Sequence, residues 1–531
     1  MIRVQQIKVP LKHDREIILK KAAKLCKIRP EQIKEMNIVK QSVDARRKNE
    51  VCYVYTVDLF TDNDEKILKK VHNNNIMSTN PVIYQFPKAD NTFLKPPVII
   101  GAGPAGLFCA YELARAGYAP ILLERGKSVE ERKKDVDRFW ETGILDSASN
   151  VQFGEGGAGT FSDGKLNTLV KDRYGRSRHV LETFVKFGAD ASILYQAKPH
   201  IGTDVLSQVI SNMRQAIIEA GGEVRFQQQV TDFRIEDSEL KALEINGKEW
   251  IETQHAVLAI GHSARDTFEM LNRHQVPMEA KSFAVGFRVE HPQEMMNRIQ
   301  YKDADMRYLT PASYKLTANF KNGRGVYSFC MCPGGYVVNA SSEESRLAVN
   351  GMSYHNRAGA NANSAIIVTV TPSDFGSDTQ NPLAGVQFQR RLEEKAFAMG
   401  NGLIPQQLYG DFKEKRISSG YGDFASCTKG KAAFAPLHEL LPEELTKTFL
   451  QGMEVFPKYI ENYNRYDAIL SGIESRTSSP VRIWRDEQFE SKMQGLYPCG
   501  EGAGYAGGIM SAAMDGIKTA EAVVQNLQNG R

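Results

Sequence analysis

The segment GAGPAG at residues 101–106 has the residue types and spacing of a backbone turn that binds a phosphate group. Gly101 would make the tight turn, Gly103 would let a pyrophosphate approach the backbone, and Gly106 would let the next helix pack closely on a strand. The free N–H groups at the start of that helix, together with the positive end of its dipole, attract anions. The segment therefore predicts a dinucleotide-binding site.

The elements predicted around this turn form a β-α-β unit. Residues 98–100 are an apolar run typical of a buried parallel strand, residues 107–116 have helical spacing, and residues 119–123 form the next strand. Glu124 ends that strand, 18 residues after Gly106, close to the roughly 20 at which an acidic residue binds a ribose hydroxyl. The motif does not separate NAD from FAD, since both contain an ADP group, and an ordinary glycine turn beside a solvated glutamate is a further alternative.

Glycine is bunched along the chain. Of its 43 glycines, 14 lie in three short windows, at residues 101–106, 154–164 and 495–508. Glycine is favoured where the backbone takes a positive φ or comes close to a ligand. The windows therefore predict three places at which the backbone approaches a bound molecule.

The composition is typical of a soluble globular protein with room for several domains. The chain has 531 residues, of which 42% are hydrophobic and 24% charged. A net charge of +4 is too small over this length to favour nucleic acid or an anionic membrane as the main partner. No apolar run approaches the roughly 20 residues that cross a bilayer. Seven cysteines and a start without a secretory signal indicate a reduced, cytoplasmic protein.

The N-terminal stretch, residues 1–95, is predicted to be a separate basic α+β domain with a ferredoxin-like pattern. Residues 1–90 contain 18 Lys and Arg against 11 Asp and Glu, a local net charge of +7. The polar stretch 73–97, which contains several prolines, predicts a linker. The predicted elements are strands near 2–9 and 51–59, a helix over 14–26, and a second helix through Leu68 and Val71 capped by Thr61 or Asp62.

Several segments occur in the order seen in FAD oxidoreductases of the glutathione-reductase and hydroxybenzoate-hydroxylase type. They are GAGPAG at 101–106, LLER at 122–125, VLAIG at 257–261 and GLYPCGEG at 495–502. Two further segments, FGEGGAGTFSDGKL at 153–166 and RTSSPVR at 476–482, resemble the bacterial FAD-dependent dehydrogenase family, often described as NAD(FAD)-utilising and mostly uncharacterised. The resemblance covers nearly the whole chain. It implies tightly bound FAD and redox chemistry, but no particular substrate.

The resemblance and the element pattern together predict an α/β fold in four sequence regions. A Rossmann-like FAD-binding domain would be assembled from residues 96–280 and 485–531. An α+β substrate domain, residues 281–484, would be inserted between these two parts. The N-terminal domain, residues 1–95, would complete the chain.

The resemblance also implies roles for particular residues. Gly500 and Glu501 would hold the flavin ribityl chain, although the family pattern has Asp where this chain has Glu. The helix start at 507–509 would face flavin N1 and O2, and the 154–164 window would line the flavin and the pyrophosphate, while the backbone of Val230 would hold the adenine. The candidate cofactor-binding residues are Gly101, Gly103, Pro104, Ala105, Gly106, Glu124, Arg125, Gly156, Gly157, Thr160, Ser162, Val230, Ala259, Gly261, Gly500, Glu501, Gly507, Gly508 and Ile509.

Cys330 and Cys332 leave alternatives open. A C-x-C pair near a flavin would suit a disulfide reductase, but the usual redox spacing is C-x-x-C and a free cysteine is often simply buried. The spacing therefore favours a structural or substrate-loop role over a redox role. No spacing of His and Cys favours a metal site.

The charged residues beside the motifs give no assignment of a catalytic acid or base. His262 directly follows the VLAIG segment and would be close to the cofactor. Arg476 and Arg482 would bind an anionic group or the flavin O2 edge, or else pair with Glu474 as a salt bridge. Lys165 is the lysine of the second glycine window, where a solvated role is the commoner one.

Three hypotheses for function follow. The first is an FAD-dependent oxidoreductase that transfers hydride or electrons between FAD and an unknown small molecule, with NAD(P)H as a transient reductant because no second G-x-G-x-x-G lies between residues 281 and 479. The second is a flavin-bearing redox sensor whose basic N-terminal domain binds RNA or a partner, although no aromatic stacking pair supports nucleic acid. The third is an NAD-only dehydrogenase.

Overall fold

The computed structural model describes residues 1–47, 50–376 and 380–528. Its N-terminal elements are β1 (Ile2–Val9), α1 (Arg15–Leu25), β2 (Ile33–Asp44), β3 (Cys52–Thr61), α2 (Asp64–Lys70) and β4 (Ile76–Ser78). The four strands form an antiparallel sheet in the order β2-β3-β1-β4. This β-α-β-β-α-β order confirms the ferredoxin-like arrangement.

Three details of this domain differ from the sequence prediction. Strand β4 lies inside the stretch 73–97 predicted to be a linker, because its residues pair with β1. Asn63, rather than Thr61 or Asp62, is the N-cap of α2. The Thr61 hydroxyl donates instead to the Asp64 carboxylate, 2.6 Å away. Strand β2 has no predicted counterpart, because Met36 alone of its twelve residues is buried and the apolar alternation is lost.

The next part of the chain, up to residue 280, contains both strands and helices. Its elements are β5 (Val98–Ile100), α3 (Pro104–Arg115), β6 (Ile121–Leu123), α4 (Val129–Thr142), α5 (Arg176–Lys186), α6 (Thr203–Glu219), β7 (Glu223–Arg225), β8 (Val230–Glu236), β9 (Glu239–Ile245), β10 (Glu249–Glu252), β11 (Ala256–Leu258), α7 (Arg265–Arg273) and β12 (Met278–Ala280). The chain turns between β8 and β9 at Asp237-Ser238 and between β9 and β10 at Asn246-Gly247, with a positive φ at each of these residues.

The remaining elements run from residue 283 to residue 528. They are β13 (Phe283–Pro292), α8 (Gln293–Tyr301), β14 (Thr317–Asn319), β15 (Gly325–Cys332), β16 (Tyr336–Asn339), β17 (Val349–Met352), β18 (Asn361–Val370), α9 (Ala384–Met399), β19 (Ile404–Leu408), α10 (Tyr409–Glu414), β20 (Thr428–Lys429), β21 (Ala432–Phe434), α11 (Glu443–Val455), β22 (Ile469–Glu474), β23 (Val481–Ile483), β24 (Leu496–Pro498) and α12 (Ile509–Gln528).

A five-stranded parallel sheet, in the order β24-β11-β5-β6-β7, carries the phosphate turn. Its inner strands β11, β5 and β6 are buried throughout, as the apolar run at 98–100 predicts. Strand β24 pairs with β11 although some 240 residues of chain separate them. The Rossmann-like domain is therefore built from both ends of the region that follows the N-terminal domain.

The inserted region contains a seven-stranded mixed sheet in the order β14-β15-β18-β13-β22-β19-β21. Its centre is the antiparallel pair β13 and β18, which is in register from Phe283 opposite Val370 to Pro292 opposite Asn361. Phe287 of β13 makes edge-to-face contacts with Phe412 and Phe449, whose ring centroids lie 5.4 and 5.2 Å away. These aromatic contacts join the sheet to helices α10 and α11.

None of the helices in the described part of the chain combines the length and apolar character needed to cross a membrane. Helix α12, the longest, is instead packed against α3 within the core of the Rossmann-like domain.

Two glycines allow the backbones of this domain to touch. A Cβ on Gly106 would overlap the carbonyl oxygen of Gly101, and a Cβ on Gly516 of α12 would overlap the carbonyl oxygen of Ala105 in α3. Both obstacles are backbone atoms, so neither can move aside as a side chain could. Helix α3, which begins at the phosphate turn, is thus held between its strand and α12 without space for a methyl group.

We expect Gly516→Ala to lower the free energy of unfolding by about 1–3 kcal/mol, because overpacking between α12 and α3 outweighs the better helix propensity of alanine. Urea unfolding followed by circular dichroism measures the change. Gly420→Ala is the matched control, since Gly420 is exposed and has no atom within 4 Å of the added Cβ. Equal stability of the two variants would contradict the tight packing.

Candidate cofactor-binding site

A cavity extends from the phosphate turn to the inserted seven-stranded sheet. The inserted region contributes Phe329, Cys330, Asn350, Glu474 and Thr477 to its wall. The predicted cofactor-binding residues that line it are Gly101, Gly103, Pro104, Ala105, Glu124, Arg125, Gly157, Ser162, Val230, Ala259, Gly261, Glu501, Gly508 and Ile509. The structure thus brings parts of all three glycine windows to one cavity.

The phosphate turn leaves open space where a ligand would approach. Gly101 has a φ of +102°, and a Cβ there would lie 2.5 Å from the carbonyl oxygen of Ala259. Gly103 is the N-cap of α3 with a φ of −75°, which any residue adopts. A Cβ on Gly103 would meet only Gly157, 3.9 Å away. The space in front of α3 is therefore open because Gly103 has no side chain. The backbone conformation at Gly103 does not itself require glycine.

Glu124 connects the phosphate turn to the second glycine window. Its buried carboxylate accepts hydrogen bonds from the backbone N–H groups of Ala102 at 2.8 Å, Gly126 at 2.9 Å and Gly154 at 3.0 Å. A carboxylate offers about four acceptor positions, so these three bonds leave room for a ribose hydroxyl. Glu124 lines the cavity as predicted and also holds its wall together, which the spacing does not reveal.

Arg132 holds the loop between residues 150 and 157 through hydrogen bonds to its backbone carbonyl groups. This side chain of α4 is fully buried and lies over the ring of Phe161, 4.9 Å from its centroid. Burial lowers its pKa to about 10, so it stays charged at neutral pH. Its guanidinium donates to the backbone carbonyls of Asn150 at 2.8 Å, Val151 at 2.9 Å, Gly154 at 3.2 Å, Glu155 at 2.7 Å and Gly157 at 2.9 Å.

Glu155 and Thr160 also take part in the hydrogen bonds that hold this loop. The Glu155 carboxylate is buried and accepts from the backbone of Val129 at 2.8 Å and from Arg214 at 2.7 Å. Burial raises the pKa of Glu155 to about 7. The Thr160 hydroxyl faces the Glu155 carbonyl and Arg132, each 3.4 Å away. Thr160 therefore supports the loop instead of lining the cavity.

Four other predicted residues also lie outside the cavity lining. Gly106 serves the helix packing described above, and a Cβ on Gly156 would overlap the side chains of Thr160 and Ile210. The Gly500 N–H donates to Asp515 at 2.8 Å, which holds the turn after β24. Gly507 is exposed, with no atom within 4 Å of an added Cβ.

His262 and Glu501 meet in the cavity wall. Nδ1 of His262 lies 3.3 Å from Oε1 of Glu501, and both residues line the cavity. Nε2 of His262 is buried and has no hydrogen-bond partner among the described residues. A buried polar atom normally has a partner, so this nitrogen points to a ligand.

The acidic and basic residues near the inserted domain pair differently from the sequence prediction. Glu474 does not pair with Arg476 or Arg482 but with Arg288, whose Nε lies 2.8 Å from its Oε2. Arg476 is buried and pairs with Glu393 at 2.8 Å. Nη1 of Arg482 lies 3.8 Å from Oε1 of Glu279.

The buried Arg476–Glu393 pair also includes Arg265, which donates to Glu393 at 3.0 Å. The Arg265 and Arg476 charges hold the pKa of the Glu393 carboxyl well below its usual range against the opposing effect of burial. A guanidinium engaged in this way is a structural partner of its carboxylate. Arg476 nevertheless lines the cavity, so part of its surface faces the space that a ligand would occupy.

Lys165 lies where the glycine-rich loop meets the inserted domain. Its Nζ is shielded from water, lies 3.2 Å from Oδ2 of Asp163, and makes no hydrogen bond within the described residues. Asp163 also pairs with Arg357, at 2.9 Å from Oδ1 to Nε. Burial lowers the pKa of Lys165, but the negative charges of Asp163, Cys332 and Cys330 together outweigh it and raise the pKa overall.

These residues fit FAD. The phosphate turn and the start of α3 would take the pyrophosphate, and Glu124 has an acceptor position left for a ribose. His262, whose Nε2 has no hydrogen-bond partner among the described residues, lines the same cavity. The cavity wall also includes Lys165 and, from the inserted domain, Cys330.

Comparisons with known proteins agree with this geometry. Family models match residues 99–129 as an NAD(P)-binding Rossmann-like domain, residues 282–477 as the C-terminal domain-like part of an FAD-dependent protein, and residues 1–60 as a domain of unknown function. An uncharacterized protein of Clostridium beijerinckii is 46% identical over 530 residues, which cover 99% of this chain and 98% of that protein.

Two solved structures are less similar to this chain than the Clostridium protein is. An E. coli quinol fumarate reductase is 13% identical with a TM-score of 0.35, over 83% of this chain and 72% of that one. The glycerol-3-phosphate dehydrogenase from Bacillus halodurans, complexed with FAD, is 12% identical with a TM-score of 0.36, over 83% of this chain and 66% of that one. At these values we draw nothing from either structure.

The parallel sheet, the phosphate turn and the cavity define a Rossmann-type flavoprotein. The chain belongs to the same family of FAD-dependent proteins as the Clostridium protein.

We expect Arg132→Met to lower the free energy of unfolding by at least about 3 kcal/mol, because buried carbonyl groups lose their charged donor, and to weaken FAD binding. Urea unfolding and flavin fluorescence titration measure the two effects. Arg138→Met is the matched control on the same helix, since the Arg138 side chain is 54% exposed. Retention of wild-type FAD affinity by Arg132→Met would contradict the scaffold role.

Proposed function

We propose that this protein is an FAD-dependent oxidoreductase that transfers hydride or electrons between tightly bound FAD and a small-molecule substrate, with NAD(P)H as a transient reductant. One observation carries the proposal. The cavity that begins at the phosphate turn ends among side chains of the inserted domain, including Cys330, Asn350 and Thr477. A second domain at the reacting end of a cofactor cavity is the arrangement by which flavoproteins select a substrate.

FAD, when bound, supplies two-electron redox chemistry, and the protein sets its position and electrostatics. The start of α3 and the backbone around Gly103 would bind the pyrophosphate, and Glu124 would bind a ribose. The Glu501–His262 pair would present a polar nitrogen to the middle of the cofactor. Helix α12 begins at Ile509 in the cavity wall, and the positive end of its dipole would stabilise negative charge on reduced flavin.

The single phosphate motif supports a visiting role for NAD(P)H. The chain has one G-x-G-x-x-G segment in a β-α-β setting, and two of its glycines, Gly101 and Gly103, line the proposed FAD cavity. A nicotinamide nucleotide would then approach from the side of the inserted domain and leave after the flavin is reduced. Substrate would use the same opening in turn.

We expect Gly103→Val to fold normally but to retain little FAD. The φ of −75° suits valine and no protein atom crowds the new Cβ, so the side chain would occupy the space that the pyrophosphate needs. The flavin-to-protein absorbance ratio after purification measures the loss, which should exceed tenfold. Gly420→Val, also in open space, is the control and should keep wild-type flavin content. Full flavin content in Gly103→Val would contradict the assignment of the turn.

We expect anaerobic mixing with NADH or NADPH to bleach the flavin absorption of the purified protein in a single two-electron step. Stopped-flow absorbance gives the rate for each nucleotide, and Gly420→Val again serves as the control. The reductant proposal would be wrong if neither nucleotide reduced the flavin while dithionite reduced it fully.

A further inference from the structure

Cys330 and Cys332 lie at a β-bulge where strand β15 meets the cavity. The pairing of β15 with β18 shifts register between Phe329 and Cys332. Cys330 has a φ of +43°, a conformation that non-glycine residues rarely adopt and that clusters at functional sites. The bulge places Cys330 in the cavity wall, whereas Cys332 is fully buried behind it.

The two cysteines lie close together and remain free thiols. The Cys332 thiol donates to the carbonyl oxygen of Cys330, which lies 3.2 Å from the Cys332 sulfur. A thiol in a cavity wall backed by a buried one is the arrangement of a nucleophilic and a resolving cysteine.

Two cations face this pair. Lys165 lines the same cavity with a shielded ammonium group. Arg288 is fully buried, donates to the carbonyl oxygen of Cys330 at 2.8 Å, and has Nη1 4.0 Å from the Cys332 sulfur. The neighbouring Cys332 thiol, together with the charges of Lys165 and Arg288, holds the pKa of the Cys330 thiol well below its usual value. The pKa of Cys332 is raised in turn.

We propose that Cys330 and Cys332 form a redox-active dithiol at the far end of the cavity, that it takes disulfides as its external substrates, and that it exchanges two electrons with FAD. This inference rests on the proposed function, because the electrons that restore the dithiol come from the reduced cofactor. It departs from the structural role that C-x-C spacing favours.

The exchange balances without a further reactant. The Cys330 thiolate bonds to one sulfur of the substrate disulfide, the substrate S–S bond breaks, and the released thiolate takes a proton from solvent. Cys332 then loses its proton, its sulfur bonds to that of Cys330, and the second substrate thiolate leaves. The substrate has gained two electrons, and the internal disulfide returns to a thiolate and a thiol with two electrons and one proton from reduced FAD.

The first test does not depend on bound cofactor. The full chain is incubated with hydroxyethyl disulfide and analysed by mass spectrometry of its peptides. We expect an internal Cys330–Cys332 disulfide in the wild type, a stable mixed disulfide on Cys330 in Cys332→Ser and in Cys332→Ala, and neither product in Cys330→Ser. Cys427→Ser, at a half-buried cysteine outside the cavity lining, is the matched control and should behave as the wild type.

The second test counts electrons in the FAD-loaded protein. After oxidation with hydroxyethyl disulfide and removal of the reagent, anaerobic dithionite titration should consume twice as many electrons per FAD in the wild type and in Cys427→Ser as in Cys330→Ser, which forms neither disulfide. Equal consumption by wild type and Cys330→Ser, or absence of the internal disulfide in the first test, overturns the proposal. A chain that forms the internal disulfide but binds no FAD would refute the proposed function instead.

Discussion

The buried guanidinium of Arg132 is the interaction on which the cavity depends. A glycine-rich loop has few side chains of its own, so its buried backbone groups need partners from elsewhere. Arg132 supplies donors to five carbonyl groups between Asn150 and Gly157, and Glu124 supplies acceptors to the amide groups of Ala102, Gly126 and Gly154. Two opposite charges, one on each side of the loop, thus hold its conformation and leave the cavity face free for a ligand.

Close backbone packing completes this constraint. Gly106 and Gly516 bring β5, α3 and α12 together without intervening side chains, which fixes the position of the α3 N-terminus relative to the loop. Since α12 follows the last glycine window and α3 the first, the same contact brings the two ends of the domain to one site. The inserted domain can then differ between flavoproteins without disturbing the cofactor end.

The charged groups of the inserted domain are mostly neutralised by each other. Glu474 is paired with Arg288 and Glu393 with Arg265 and Arg476, so burial of these charges is compensated within the protein. Lys165, His262 and Cys330 differ, because each lines the cavity, and Nζ of Lys165 and Nε2 of His262 have no hydrogen-bond partner within the described residues. They are the groups through which the protein would meet the flavin and its substrate.

Residue types and short-range spacing determined much about this protein. They determined the phosphate turn, the acidic residue after β6, the parallel strands and the family, since glycine requirements and burial on both faces leave local signatures. Only the tertiary structure decided that Arg132 is a scaffold, that Thr160 turns away from the cavity, that Glu474 pairs with Arg288, and that Cys330 faces the cavity. An arginine on an amphipathic helix has the same local pattern whether it is solvated or buried, and which charges meet depends on contacts between residues far apart in the chain.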